Sequence, residues 1–445
     1  MKTEALIYVP SDTPEAMAMA TRKVAGVPLI IRGVMTLKQS GIKSLSLLIA
    51  SSQRERIVRF LGRYNDSVLP EIKILEYEEH YGISEELAKK VVENAFERLL
   101  LINSNLIFEK ELVHLFKETP MPQGGSIRCK AGAHSIPMYE VSSNAIERLH
   151  KEVAVRPRSI ETAIRIMLEG GDVAIVNKPA EINTFLVTHC RERAVAEKSL
   201  AEAIRLRIDG PVARYINKRI SLPVSLILSK LWISPNTITA FNIIVGVFSG
   251  VFVADGNRYH YILAGAILFQ LASIIDGCDG EVAKLTFRAT KFGQYADTLC
   301  DNLSLGSFIT GLIAGYWRQT HSYVAFYIGS ILVFTTGVTF FWMIRFLKKN
   351  TDSASLVTYD KQYLSKLKEQ PKFLMIFIKY GKYLLKKDVF SFMFLCSAIF
   401  GVLYWWLFLA TLGTSSAAIV LTYLNIAESL KKRTPTVIAS EGKNL

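Results

Sequence analysis

Apolar residues follow two regimes along this chain. Up to about residue 205 they come in short runs between scattered charges. β-rich runs at Ala5–Val9, Leu45–Ile49, Glu71–Glu76, Leu99–Ile102 and Val173–Val176 alternate with helical patterns at Val27–Gln39, Arg54–Leu61 and Ser84–Glu97. That alternation predicts a Rossmann-like α/β domain with a largely parallel sheet, with Gly41 and Gly171 as breakers. From Pro235 onward the runs lengthen to about the 20 residues that a bilayer core requires. Six spans are predicted: Pro235–Ala254, Tyr259–Leu285, Gly293–Trp317, Tyr323–Leu347, Val389–Leu403 and Trp405–Ile426. Between the regimes, Ala196–Arg207 reads as a connecting helix. Arg205–Ser221 interleaves Arg205, Arg207, Arg214, Lys218 and Arg219 with Ile208, Val212, Tyr215 and Ile216. This pattern suits a helix lying in the membrane interface; a solvated linker helix is the plainer reading.

The fold class expected is therefore an N-terminal α/β domain followed by an all-α, six-helix transmembrane domain. The boundaries are 1–195 for the first domain, 196–234 for the linker and juxtamembrane helix, 235–430 for the six spans and 431–445 for a basic tail. Charge sharpens this. The chain has 445 residues and a net charge of +14, and its basic excess sits beside the spans. Arg345 to Lys387 holds eleven Lys or Arg against three acids, and Lys431-Lys432-Arg433 follows the last span. Such clusters mark the cytoplasmic side and attract anionic lipid headgroups. They predict a multi-pass protein of the cell membrane with both termini and the Lys284–Lys291 connection inside, and they argue against nucleic acid as a partner. Met1 to Val9 has no long apolar core, so no cleavable leader is expected. The five cysteines are dispersed and the seven histidines scattered, which excludes a disulfide framework or a zinc site.

Two stretches stand out inside the apolar region: Asp276-Gly277-Cys278-Asp279-Gly280-Glu281 and Gly293-Gln294-Tyr295-Ala296-Asp297-Thr298-Leu299-Cys300-Asp301. Carboxylates at membrane depth are costly, which makes them a functional-site hypothesis by default. Asp276 and Asp279 are three apart and Asp297 and Asp301 four apart, so each pair shares a helix face. The two spans are joined by a short connection, and the faces can meet. Four converging carboxylates need compensation by cations, and all-oxygen ligation suits one or two Mg²⁺ or Mn²⁺ ions. Gly277, Gly280 and Gly293 remove side chains where a bulky ligand would approach backbone. An ion-conducting acidic site is the competing reading.

Asp276, Asp279-Gly280, Ala283-Lys284, Gly293, Asp297 and Asp301 at these spacings resemble the signature of the CDP-alcohol phosphotransferase family. The resemblance runs from about Ile208 to the last span and includes the opening Pro235-Asn236-Thr237-Ile238-Thr239. Lys284 departs from it, since the family usually has Arg there; charge is kept but bidentate phosphate geometry is lost. The resemblance implies an acceptor hydroxyl attacking the β-phosphorus of a CDP-alcohol donor with release of CMP, with two Mg²⁺ (or Mn²⁺) ions on the pyrophosphate. It implies Asp276, Asp279 and Asp297 as metal ligands, and Asp301 as ligand and general base. Asn236, Thr239, Gly280, Ala283, Lys284 and Gly293 would shape the CDP pocket, and the protein would be a homodimer. Arg345 and Lys387, near span ends, are candidates for a phosphate on the acceptor, or for lipid-headgroup anchoring.

Lys23-Val24-Ala25-Gly26-Val27-Pro28-Leu29 resembles a segment of sugar-phosphate nucleotidyltransferases. Some CDP-alcohol phosphotransferases that make inositol phosphodiesters carry such a cytidylyltransferase domain, and the stretch Asp209 to Ser221 resembles their linker, which points to a polyol-phosphate acceptor such as inositol phosphate. Yet Val9-Pro10-Ser11-Asp12-Thr13-Pro14-Glu15 holds no glycine to cradle a triphosphate, and Leu101-Ile102-Asn103-Ser104-Asn105 holds no metal-binding aspartate. The first domain is therefore expected to be non-catalytic. The motif leaves CDP-inositol and CDP-diacylglycerol open as donors, for phospholipid or polyol-phosphodiester synthesis. A catalytically degenerate membrane scaffold is the alternative from another functional class.

Overall fold

The structure is a computed structural model that describes residues 3–10, 14–62, 72–77, 97–122, 125–132, 134–146, 164, 168, 172–207, 210–350 and 386–433. The predicted helix Ser84–Glu97 (save its last residue), the breaker Gly171, Ser11 to Thr13, most of the basic stretch Arg345–Lys387 and the end of the tail lie outside the described residues. The chain divides into two compact units. The first comprises Met1–Arg207 with Pro223–Ile233 and Glu281–Arg288; the second comprises Ile208–Leu222, Ser234–Gly280 and Ala289–Leu445.

The first unit is built on a seven-stranded sheet. In chain order its strands are β1 (Thr3–Tyr8), β4 (Leu45–Ala50), β5 (Ile72–Tyr77), β6 (Arg98–Asn103), β8 (Ser126–Ala131), β9 (His134–Ser142) and β10 (Val173–Asn177), arranged β10-β8-β9-β6-β1-β4-β5. Two short pairs complete the strand set: β2 (Lys23–Val24) with β3 (Val27–Pro28), and β7 (Leu106–Phe108) with β11 (Thr184–Leu186). All five predicted strands are present, and the sheet is parallel except at β9, which pairs antiparallel with both β6 and β8. Alternation sends Ala5, Ile7 and Leu100 to one buried face and Leu6, Tyr8 and Leu99 to the other. Both faces are covered, as the near-continuous apolar strands require.

The helices α1 (Pro14–Met19), α2 (Leu29–Gln39), α3 (Arg54–Leu61), α4 (Lys110–Glu118) and α5 (Glu192–Leu206) flank these strands in sequence. The helix expected from Val27 begins two residues later, because Val27 and Pro28 form the return strand of a hairpin. Gly26 at its turn has φ +79°, and a Cβ there would lie 2.2 Å from the carbonyl oxygen of Ser229. Arg32, fully buried on α2, donates to the carbonyls of Val24 (2.8 Å) and Leu285 (3.0 Å). Burial lowers its guanidinium to about 10.

The second unit is helical. After Gly210 (φ +130°) a π-helical turn, Ala213–Asn217, leads into α6 (Lys218–Lys230). The predicted interfacial helix is thus split at Gly210 and runs on through Pro223 rather than ending at Ser221. Then follow α7 (Pro235–Val253), α8 (Tyr259–Thr286), α9 (Lys291–Thr320), α10 (Val324–Asn350), α11 (Lys387–Ile399) and α12 (Trp405–Arg433). These six match the six predicted segments. Among the described residues, Pro235–Val253, Tyr259–Thr286 and Trp405–Tyr423 are long and apolar enough to cross a membrane, and Val324–Thr339 is a shorter apolar stretch. α9 has the length but carries Asp297, Asp301, Asn302 and Arg318. α11 has 13 residues, which at 1.5 Å each is about 20 Å, short of the roughly 30 Å hydrocarbon core.

α7 and α9 touch at backbone level. A Cβ at Gly311 would stand 2.2 Å from the Gly250 carbonyl oxygen, and one at Gly250 2.3 Å from the Ser307 carbonyl oxygen. Small residues at such crossings let helices approach where lipid gives no hydrophobic drive. Phe269, Phe308 and Phe394 tie α8, α9 and α11 together, with ring centroids 4.2 Å apart for the first pair and 5.2 Å for Phe308–Phe394.

Gly311→Ala should destabilise the purified protein by about 1–3 kcal/mol through overpacking. Gly306→Ala on the same helix, where a Cβ meets nothing within 4 Å, should leave the melting temperature unchanged or raised. In the first unit, Glu140 is fully buried beside Arg98, 3.4 Å away. Burial, partly offset by Arg98 and Lys117, raises its carboxyl from 4.5 to about 7. The neutral acid is the favoured form, so its contribution is complete below about pH 4.5 and is lost as pH rises through about 7. Hydrogen exchange at β6 and β9 should therefore speed up between pH 5 and 8, after correction for intrinsic rates, and Glu140→Gln should flatten that dependence.

Candidate metal and phosphate site

Two helix starts organise the site. Ser234 caps α7, its hydroxyl accepting the Thr237 N–H at 3.2 Å, with Pro235 in the first helical position. Proline suits that position because its missing N–H is an unpaired donor there anyway. Thr290 caps α9 in the same way, accepting the Gly293 N–H at 2.9 Å. The two starts lie side by side: a Cβ at Gly293 would be 3.3 Å from Asn236 Oδ1 and 3.1 Å from Thr290 Oγ1. Two residues predicted to contact CDP are thereby brought together.

On α8 and α9 the carboxylates converge. One oxygen from each of Asp276, Asp297 and Asp301 lies within 4.8 Å of the others. Asp279 is outside this trio; it is buried, and the Thr239 hydroxyl and the Gly280 N–H (2.5 Å) donate to it. Asp276 accepts from Asn242 Nδ2 at 3.1 Å and from Lys387 Nζ at 3.3 Å. Lys387 also pairs with Asp301. Asp297 Oδ1 is buried with no hydrogen-bond partner.

The placement of this acid set follows from spacing. Asp276 lies seven residues after Phe269, Asp301 seven before Phe308 and Lys387 seven before Phe394. Seven residues are close to two helical turns, so each charged group sits on its aromatic's face, about 10 Å along the axis. The aromatic layer and the charged layer are parallel consequences of one repeat on three helices.

Of the predicted residues, Asn236, Thr239, Gly293 and the four aspartates are thus held by α7, α8 and α9. A Cβ at Gly280 would meet no protein atom within 4 Å, so protein packing does not demand glycine there. Ala283 and Lys284 lie in the last turns of α8, in the segment counted with the first unit. Lys387, expected as an acceptor-phosphate group, pairs with two of the aspartates. Arg345 is exposed on α10, its guanidinium 5.9 Å from the Trp342 ring centroid. Asn242 was not anticipated. Its signal in the sequence is one amide three residues after Thr239 in an otherwise apolar run.

This donor set suits a hard divalent cation: all-oxygen ligands, a buried carboxylate oxygen without a partner, and a side-chain cation bridging two acids. Asp276, Asp297 and Asp301 would hold it, with Asp279 on the neighbouring turn of α8.

Residues 232–412 match the profile of the family described as CDP-alcohol phosphatidyltransferase. A bifunctional IPC transferase and DIPP synthase of Thermococcus kodakarensis is 40% identical over 101 residues, 23% of this chain and 22% of that one. A protein of the same description from Aquifex aeolicus is 24% identical over 335 residues, 67% of this chain and 72% of that one. Among solved structures, the inositol-1-phosphate CTP transferase from T. maritima has a TM-score of 0.36 at 10% identity, over 47% of this chain and 98% of that one.

Thr239→Val keeps the side-chain volume and removes one donor to a buried carboxylate. It should cost about 1–3 kcal/mol, read as a lowered melting temperature in detergent, whereas Thr237→Val at the exposed cap should cost less.

Proposed function

We propose that this chain, carrying a CDP-alcohol phosphatidyltransferase domain, is an integral-membrane phosphotransferase that moves a substituted phosphate from a CDP-alcohol to an acceptor hydroxyl with release of CMP. The observation that carries this reading is the convergence of Asp276, Asp297 and Asp301 within 4.8 Å, with Asp297 Oδ1 buried and unpartnered. A bound Mg²⁺ or Mn²⁺ pair would neutralise charge on the donor's pyrophosphate and on departing CMP. The chain's own groups do the rest. The paired starts of α7 and α9 offer Asn236 and a side-chain-free Gly293 beside which a nucleotide phosphate can lie close to backbone. Thr239 and Asn242 hold Asp279 and Asp276 in fixed rotamers.

Asp301 is the proposed general base. It takes the proton of the acceptor hydroxyl as that oxygen bonds to the β-phosphorus and the bond to the CMP oxygen breaks. Lys387, paired with Asp301, offers positive charge to an anionic acceptor. The acceptor class we favour is a polyol phosphate such as inositol phosphate, supported by the resemblance of the Asp209–Ser221 linker. The site reads the CDP part of the donor, so both a CDP-polyol and a CDP-lipid fit it. We assign the first unit no nucleotidyl transfer, since its sequence lacks the glycine loop and the aspartate. The basic segments support a cytoplasmic location for the active site and both ends of the chain, and lipid packing around the spans; a homodimer is the assembly we expect.

Purified protein with Mg²⁺ and a panel of CDP-alcohols and acceptors, followed by mass detection, tests this. CMP and a phosphodiester or phospholipid product are expected, and Asp301→Asn should lower the rate by about 10²–10⁴-fold. CMP release from no donor in the panel, or an unchanged rate in Asp301→Asn, would overturn the assignment.

A further inference from the structure

A second carboxylate sits one residue beyond Lys387 and has a different set of partners. Asp388 Oδ1 accepts from Asn217 Nδ2 at 2.8 Å and from the Ser273 hydroxyl at 3.2 Å. Asn217 Oδ1 in turn accepts from Gln270 Nε2 at 2.9 Å, and Gln270 Oε1 accepts from the Ser391 hydroxyl at 2.9 Å. Asn217, Gln270, Ser273 and Ser391 are all buried. Asn217 Nδ2 also donates to the Ser273 hydroxyl at 3.3 Å, so five side chains from three elements form a closed network: the π-helical turn Ala213–Asn217, α8 and α11. Buried polar networks that are fully satisfied fix one arrangement of the elements they join. The π-helical turn is itself a rare geometry that tends to mark functional positions, and here it ends on Asn217.

We infer that Asp388 is a positioning residue which, through Asn217 and Ser273, anchors the first turn of α11 to α8 and so holds the Lys387 ammonium between Asp276 and Asp301. The geometry supports this in two ways. α11 is short and begins at Lys387; Phe394 lies two turns from the ammonium, and Phe390, one turn away, is only partly buried with its ring 6.4 Å from that of Phe269, so the polar contacts of Asp388 fix the start of the turn. Ser273 and Asp276 are also one turn apart on α8, so the residue that grips Asp388 and the residue that meets Lys387 share a face. Lys387 and Asp388, adjacent on α11, are each matched to one of them. Among the described residues, the Asp388 carboxylate hydrogen-bonds to Asn217 and Ser273 and to none of the four aspartates. Its effect passes through the backbone of the first turn.

Both donors reach a single oxygen, Oδ1. Asparagine can therefore replace Asp388 with its amide oxygen in the same place, whereas alanine cannot. That makes a test which separates position from charge. Lys387 acylation by acetic anhydride is followed by mass spectrometry in the purified full-length protein without divalent ions, with exposed Lys43 as the internal reference. Asp388→Ala should raise the Lys387 rate at least tenfold, and Asp388→Asn should stay within about twofold of wild type. Asn217→Ala, which leaves α11 untouched, should give a rise between these and serves if Asp388→Ala does not fold. Unchanged labelling in the alanine variants, or Asp388→Asn as fast as Asp388→Ala, would overturn the inference.

A kinetic arm rests on the proposed transfer activity. In Asp388→Ala, kcat/KM for the acceptor should fall at least tenfold while KM for the CDP donor changes less than twofold; equal loss on both substrates would indicate general damage and count against positioning. If wild-type protein releases no CMP, the proposed function fails, and the labelling arm still decides the role of Asp388.

Discussion

The carbonyl of Gly250 lies against the Cα of Gly311, and the site above depends on that contact. In a membrane no hydrophobic force draws α7 to α9; close packing does, and only hydrogen at both positions permits it. Thr239 lies eleven residues from Gly250 and Asp301 ten from Gly311, about three turns in each case, or roughly 15–17 Å along the axes. The crossing therefore sets the height at which α7 delivers its polar side chains to α8, and α9 its aspartates. A larger residue at the crossing would separate the helices and loosen a site three turns away without touching any of its side chains.

Charge explains the remaining features of that site. Four neighbouring carboxylates repel one another, and each answers the problem differently. Asp279 is satisfied by a hydroxyl and a backbone N–H, Asp276 by an amide and an ammonium, and Asp301 by the ammonium. Asp297 keeps a buried oxygen with no protein partner. Protein groups thus compensate part of the cluster, and Asp297 Oδ1 is left without such a partner. The polar circuit around Asp388 is the reverse case, since it closes on itself and serves geometry.

Much of this was legible in the sequence. The apolar runs located α7 to α12, the first four to within three residues; α11 ends four residues early at a Gly401 turn (φ +72°), and α12 runs seven residues past Ile426. The aspartate spacing gave the faces that meet. β8 and β9 were missed because Ser126–Ala131 carries Arg128 and Lys130, and His134–Ser142 carries Pro137 and Glu140, which break the apolar signal; their pairing supplies the burial that the residues themselves do not advertise. The roles of Asn242 and Lys387 were out of reach for another reason. Asn242 meets Asp276 across 34 residues, and Lys387 meets Asp276 across 111, so no local pattern encodes either contact. The break at Gly210 and the π-helical turn were equally hidden, since the basic amphipathic pattern runs through both.

The seven-residue interval from aromatic to charge on α8, α9 and α11 has a further consequence for how such a site can change. A point substitution alters one side chain and leaves the rest in place. Loss or gain of a single residue between Phe269 and Asp276, or between Asp301 and Phe308, would turn the charged group by about 100° around its helix while the aromatic anchor stayed put. The aspartate would then face lipid or a neighbouring helix. These three segments are tolerant of spelling and intolerant of length, and insertions in this chain should be confined to the turns that join its helices.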